Sequence, residues 1–151
     1  MMNPVFQCPK CRNKLSNLYS CSNCSRVYFN EEGFFDFINS SQPSTSSSEK
    51  KLSNLLSKIH SHGYSEELQQ FLKNNSEFEY RFNKMEGDIA FRVIRRNNTR
   101  CLVLNSDLGN IPENLSQVFD EVYSLDADKE KILIQKFRFQ ENNIYNVILI
   151  R

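Results

Sequence analysis

Cys101-Leu102-Val103-Leu104 is an unbroken apolar run, followed at once by the loop Asn105-Ser106-Asp107-Leu108-Gly109-Asn110. A short apolar run bounded by turn-forming residues reads as a buried strand. A helix is expected near 112–119, and Glu121-Val122-Tyr123-Ser124-Leu125 reads as a second strand closed by Asp126. Asp128 is placed to cap the next helix, whose apolar face holds Ile132, Leu133 and Phe137; residues 144–150 form a third strand. Strand, helix, strand, helix, strand predicts a parallel sheet with crossover helices, so the expected class is α/β.

Upstream, residues 51–99 read as helical. Leu52, Leu55, Leu56 and Ile59 recur at helical spacing, and Ser65-Glu66-Glu67 marks a helix start ahead of Leu68, Phe71 and Leu72. Ser76 and Glu79 form a capping-box pattern before Phe78, Phe82, Met85, Ile89, Val93 and Ile94, with Gly87 as a weak point. His60 and His62 read as solvated helix-end residues rather than a metal pair. Arg92, Arg95, Arg96 and Arg100 read as a solvated face rather than a phosphate or RNA contact. Residues 39–50 carry no apolar side chain except Pro43, which predicts a flexible Ser-rich linker.

Residues 1–38 hold four of the five cysteines: Cys8-Pro9-Lys10-Cys11, nine residues, then Cys21-Ser22-Asn23-Cys24. Two residues between thiolates let one tight turn aim both sulfurs at a single ion, and two such turns complete a tetrahedral sulfur site. Zinc is the expected ion; iron in the same knuckles or a redox dithiol are the alternatives. A four-thiolate site is closed, so its expected role is structural, holding a segment too short for its own core. The start lacks the basic-then-apolar layout of a secretory signal, which favours metal over disulfides and a cytoplasmic protein. Cys101 reads as a small buried strand residue. No apolar run approaches the roughly 20 residues of a membrane span. With 19 basic and 18 acidic residues the formal charge is +1, giving no general attraction to nucleic acid.

After the second knuckle, Arg26-Val27-Tyr28-Phe29, an acidic turn ending in Gly33, and Phe34-Phe35-Asp36-Phe37-Ile38 predict a hairpin. This ribbon resembles the zinc-ribbon family of tRNA methyltransferase activator subunits and ribbons at the front of some bacterial methyltransferases. Leu15, Tyr28, Gly33 and Phe37 fall at matching places; Phe29 and Phe35 stand where prolines often occur. The 100–151 pattern is that of a partial Rossmann-like βαβαβ half-domain. It resembles the class I S-adenosylmethionine-dependent methyltransferases, with Val103-Leu104-Asn105 as the first strand end and Asp126 as the acid that holds the ribose hydroxyls. The resemblance implies cofactor contacts at Asn105, Asp107, Gly109 and Asp126. Of the family's glycine loop only Gly109 remains; Asp107 and Ile111 replace the other two glycines and are expected to crowd or reshape the pocket.

Three functions follow. The first is a methyltransferase-family protein, incomplete or weakly active as this chain, with no catalytic residue or methyl acceptor legible. Alternatively, the chain is a non-enzymatic zinc-ribbon adaptor docking on a methyltransferase, with Phe34 and Phe37 as contacts. Least favoured is an RNA binder using Lys10, Arg12, Lys14 and Arg26 with Tyr19, Tyr28 and Phe29 to stack. In the family's usual order the first strand lies mid-sheet, and this chain stops after the third. Either the chain is a fragment, or a protein partner or a second copy is expected to cover that edge.

Overall fold

The structure is a computed structural model that describes residues 6–16, 19–38, 47–89 and 100–151. The ribbon contains β1 (Ser20–Cys21) and β2 (Arg26–Val27), paired antiparallel. Three helices follow: α1 (Ser47–His62), α2 (Tyr64–Lys73) and α3 (Ser76–Ile89). The last part alternates β3 (Arg100–Leu104), α4 (Asn110–Ser116), β4 (Glu121–Leu125), α5 (Lys129–Glu141) and β5 (Val147–Ile150). The mixed α/β class is as expected, and the sheet is parallel in the order β3-β4-β5.

Alternation builds the sheet's helix-facing side. Val103 and Val122 are buried with Leu115 of α4, while Ile132 and Phe139 of α5 pack on Leu149. Burying Ser124 in that face leaves its hydroxyl in need of a partner. Gln135 of α5 supplies it, accepting from Ser124 Oγ at 2.6 Å. Its amide then donates to Ser106 Oγ at 2.9 Å and to the Asp107 carbonyl at 2.7 Å. Fully buried Gln135 therefore ties the loop after β3 to the middle of β4.

On the other side of α5, Leu52, Leu55 and Ile59 of α1 form one core with Tyr64, Leu68 and Leu72 of α2, Phe78, Leu108 and Ile134. Arg138 crosses this seam. It binds the Glu113 carboxylate and the Asn110 side chain, donates to Tyr64 Oη at 3.3 Å, and lies 5.1 Å over the Phe82 ring. Burial pushes the Tyr64 phenol up to about 12.

Several boundaries differ from the sequence reading. α1 begins at Ser47, inside the stretch read as linker; residues 39–46 lie outside the described residues. Ser76 is the first residue of α3 rather than a cap before it, and α3 continues through Gly87. The helix start read at Ser65 lies one residue earlier, and its cap is tertiary: Glu141 of α5 accepts from Tyr64 N at 3.1 Å and from Ser65 Oγ. Arg92, Arg95, Arg96, Val93 and Ile94 lie outside the described residues, as do the side chains of Met85 and Ile89. Among the described residues no helix is long and apolar enough to cross a membrane.

The ribbon is joined to the sheet. Its hairpin forms as expected, with Phe29 bridged to Phe35 and Gly33 at φ 85° donating to the Asn30 carbonyl at 3.1 Å. The outgoing arm runs parallel beside β5. Phe35 N donates to Leu149 O at 3.0 Å, Arg151 N to Phe35 O at 2.7 Å, and Phe37 N to Arg151 O at 2.7 Å. Phe34 is fully buried among Ile132, Phe139 and Leu149, and Arg151 Nε meets Asp36 at 3.1 Å.

Candidate functional site

The first candidate is the cysteine cluster. The sulfurs of Cys8, Cys11, Cys21 and Cys24 lie within 4.8 Å of one another. Cys8 and Cys24 are 3.9 Å apart, Cys11 and Cys21 3.4 Å. A tetrahedral ion with metal–sulfur bonds of about 2.3 Å separates its ligands by about 3.8 Å, so the four sulfurs fit one ion. The two knuckles share a shape: the residue after each pair, Arg12 (φ 60°) and Ser25 (φ 52°), is left-handed, turning the chain back behind the sulfurs. Arg12 N donates to Cys8 O at 2.8 Å.

Thiols this close cannot all ionise without a cation among them. Cys8 is drawn down to about 6 by the Tyr28 hydroxyl, 3.1 Å from its sulfur. Cys24 is pushed up to about 12, chiefly by its hydrogen bond with Cys11. Cys11 itself is lowered, first by the backbone at Asn13. A bound cation would bring all four to the thiolate form.

The second candidate is the loop after β3. Asn105 (φ 54°), Asp107 (φ 49°) and Gly109 (φ 89°) are all left-handed. Aspartate and asparagine tolerate this region better than other non-glycine residues. The loop thus makes a left-handed turn at Asp107, a non-glycine residue. Gly109 is needed for closeness as well, since a Cβ there would stand 2.9 Å from Gln135 Cγ and 3.1 Å from Phe139 Cζ. Ile111 does not project into the loop; it packs against Val103, Leu115 and Val122 at the start of α4.

Asp126 is buried at the end of β4, and its carboxylate organises the site. Oδ2 accepts from Asp107 N at 3.0 Å and Oδ1 from Asp128 N at 3.0 Å. Asp128 caps α5 as expected, accepting from Glu130 N at 3.0 Å and Lys131 N at 3.3 Å. Burial is the chief cause of the rise in the Asp128 pKa. Sequence reasoning missed Lys131, whose Nζ lies 2.9 Å from Asp107 Oδ1 and 3.9 Å from Asp126 Oδ2. The available signal was spacing: Lys131, Gln135 and Phe139 recur every four residues, one face of α5, and all three meet the loop.

The remaining residues singled out are dispersed. His60 packs edge-on against Phe137, while His62 Nδ1 is 3.2 Å from Glu67. Cys101 is half-buried, and burial raises its pKa. Tyr28 is buried under the cysteines and Phe37 stacks on it at 5.1 Å, so Tyr28 offers no ring to a base. Phe34 is equally internal, which removes it as an adaptor contact.

No family model and no curated protein matches the chain. Among solved structures, the YcgJ protein from Bacillus subtilis is similar, with 22% identity over 47% of this chain and a TM-score of 0.37. The match covers 29% of that structure's chain.

Proposed function

We propose that residues 100–151 form the cofactor-binding half of a class I S-adenosylmethionine-dependent methyltransferase, and that the four cysteines hold a structural zinc ion. The observation that carries the cofactor reading is the junction of β3 and β4. There Asp107 keeps a left-handed backbone and donates its N–H to the carboxylate that closes β4. In parallel α/β sheets, nucleotide ligands bind beyond the carboxyl ends of the strands, where this junction lies. Asp126 would accept hydrogen bonds from the ribose hydroxyls, and the turn at Asn105, Asp107 and Gly109 would bring backbone close to the ligand. The cofactor supplies an electrophilic methyl group; the protein's part is to position the acceptor and exclude water. All-sulfur donors in two knuckles favour zinc in a closed site that takes no part in the reaction.

Titration calorimetry of the zinc-loaded chain with S-adenosylmethionine tests this reading. Micromolar binding, weakened about tenfold or more by Asp126→Ala as a charged hydrogen-bond acceptor is lost, is the expected result. Absence of binding at millimolar ligand rejects it.

A docking role without catalysis is the second reading, favoured by β3, which ends the sheet among the described residues. Leu102 and Leu104 there are 58% and 66% exposed. Exposed apolar residues on a terminal strand promote association. Light scattering should show an associated species that Leu104→Lys disperses; a monomer at all concentrations argues against self-association.

A further inference from the structure

This inference rests on the assignment of Asp126 to the ribose hydroxyls. Each Asp126 carboxylate oxygen already accepts one backbone N–H, from Asp128 at Oδ1 and from Asp107 at Oδ2. A carboxylate oxygen offers about two acceptor positions, so one on each remains for a ligand. Lys131 faces that remaining capacity on Oδ2, with Nζ at 3.9 Å, while its closer contact is Asp107 Oδ1 at 2.9 Å. The three side chains are largely withdrawn from water, at 19% exposure for Lys131, 11% for Asp107 and 5% for Asp126. The Lys131 backbone is fixed in the first turn of α5 by the Asp128 cap. Its side chain is therefore the part that can move, and a lysine stem has four rotatable carbons to do so.

We infer that Lys131 is a latch on the cofactor site. In the free chain its ammonium neutralises Asp107 and Asp126, two carboxylates that would otherwise repel each other across the loop. An adenosine hydroxyl that takes the free position on Asp126 Oδ2 then competes with Lys131 and turns it out toward solvent. The latch makes Lys131 a positioning residue that opposes binding; it gives the ligand no contact of its own. Asp107, left-handed at φ 49°, is its anchor and supplies the nearer counter-charge.

The test is calorimetric titration of S-adenosylhomocysteine into the wild-type chain, Lys131→Met and Lys131→Arg, each checked for folding by urea melts. Removing the latch should tighten binding roughly two- to fivefold in Lys131→Met, the range set by a partly exposed ion pair. Lys131→Arg, which keeps the charge, should stay near wild type. Should Lys131→Met fail to fold, Lys131→Gln carries the same expectation. Equal or weaker binding in the uncharged variant, with the wild type still binding, overturns the latch and leaves the cofactor assignment standing. No binding by any of the proteins at millimolar ligand overturns both.

Discussion

With the four cysteines stripped of metal, the ribbon's outgoing arm should loosen from β5 while β4 stays paired. The path runs from the cysteines through Tyr28. Tyr28 Oη lies 3.1 Å from Cys8 Sγ, its ring stacks on Phe37, and its carbonyl accepts from Asp36 N at 2.7 Å. The cysteine cluster therefore sets the position of residues 35–37. Three backbone hydrogen bonds hold that arm to β5. At about 1 kcal/mol net each, with about 1.5–3 kcal/mol more for burying Phe34, the docked arm is worth about 4–6 kcal/mol. That corresponds to an opening ratio of about 10³–10⁴ at tenfold per 1.4 kcal/mol. Amide hydrogen exchange reads this ratio directly. In the zinc-loaded chain, Phe35, Phe37 and Arg151 should show protection of about that size. After chelation that protection should fall by about ten- to a hundredfold, the share carried by the Asp36–Tyr28 hydrogen bond and the Phe37–Tyr28 stack, because four thiols without a cation no longer hold Tyr28 in place. Val122 and Asp126, which donate to Asn146 O and Ile150 O within the sheet, serve as internal controls and should stay protected. Unchanged protection at Phe37 and Arg151 in the metal-free chain would refute the reasoning, since the arm would then be held by the sheet alone.

Two further outcomes follow from the same geometry. Gly109→Ala should destabilise the chain by about 2–5 kcal/mol, combining the cost of a left-handed alanine with overpacking against Gln135 and Phe139; urea denaturation would measure it, and a loss below about 0.5 kcal/mol would contradict the close approach. Zinc binding near neutral pH should release protons, because Cys24 is held up at about 12 and is still protonated there, whereas Cys8, at about 6, is largely ionised. Raising the pH toward the Cys24 value should therefore strengthen binding and reduce the number of protons released. Titrations in buffers of different ionisation enthalpy give that number, and a value of zero at pH 7 would contradict the thiol assignment.

What the sequence made legible was local. Cysteine pairs with two residues between them marked both knuckles, and the apolar run at 101–104 and the segment at 121–125 marked strands that form as read, because each signal lies within a few residues of its structure. Asp128 was legible as a cap for the same reason. The illegible features join distant residues: Phe34 inserted beside Leu149, Phe35 bridged to Ile150, and Glu141 capping a helix that starts at Tyr64. No local pattern specifies such pairings. Asp107 was read as crowding or reshaping a glycine-rich loop; it adopts a left-handed turn, and its carboxylate meets Lys131. Ile111 was read as crowding the loop, but α4 begins at Asn110 and turns that side chain into the core.

The cofactor assignment is tested most directly by recording amide chemical shifts of the zinc-loaded chain during addition of S-adenosylmethionine. Saturable shifts are expected at Asp107, Gly109 and Asp128, whose N–H groups belong to the loop or bond the Asp126 carboxylate. Shifts confined to the ribbon, or none at millimolar ligand, would contradict it.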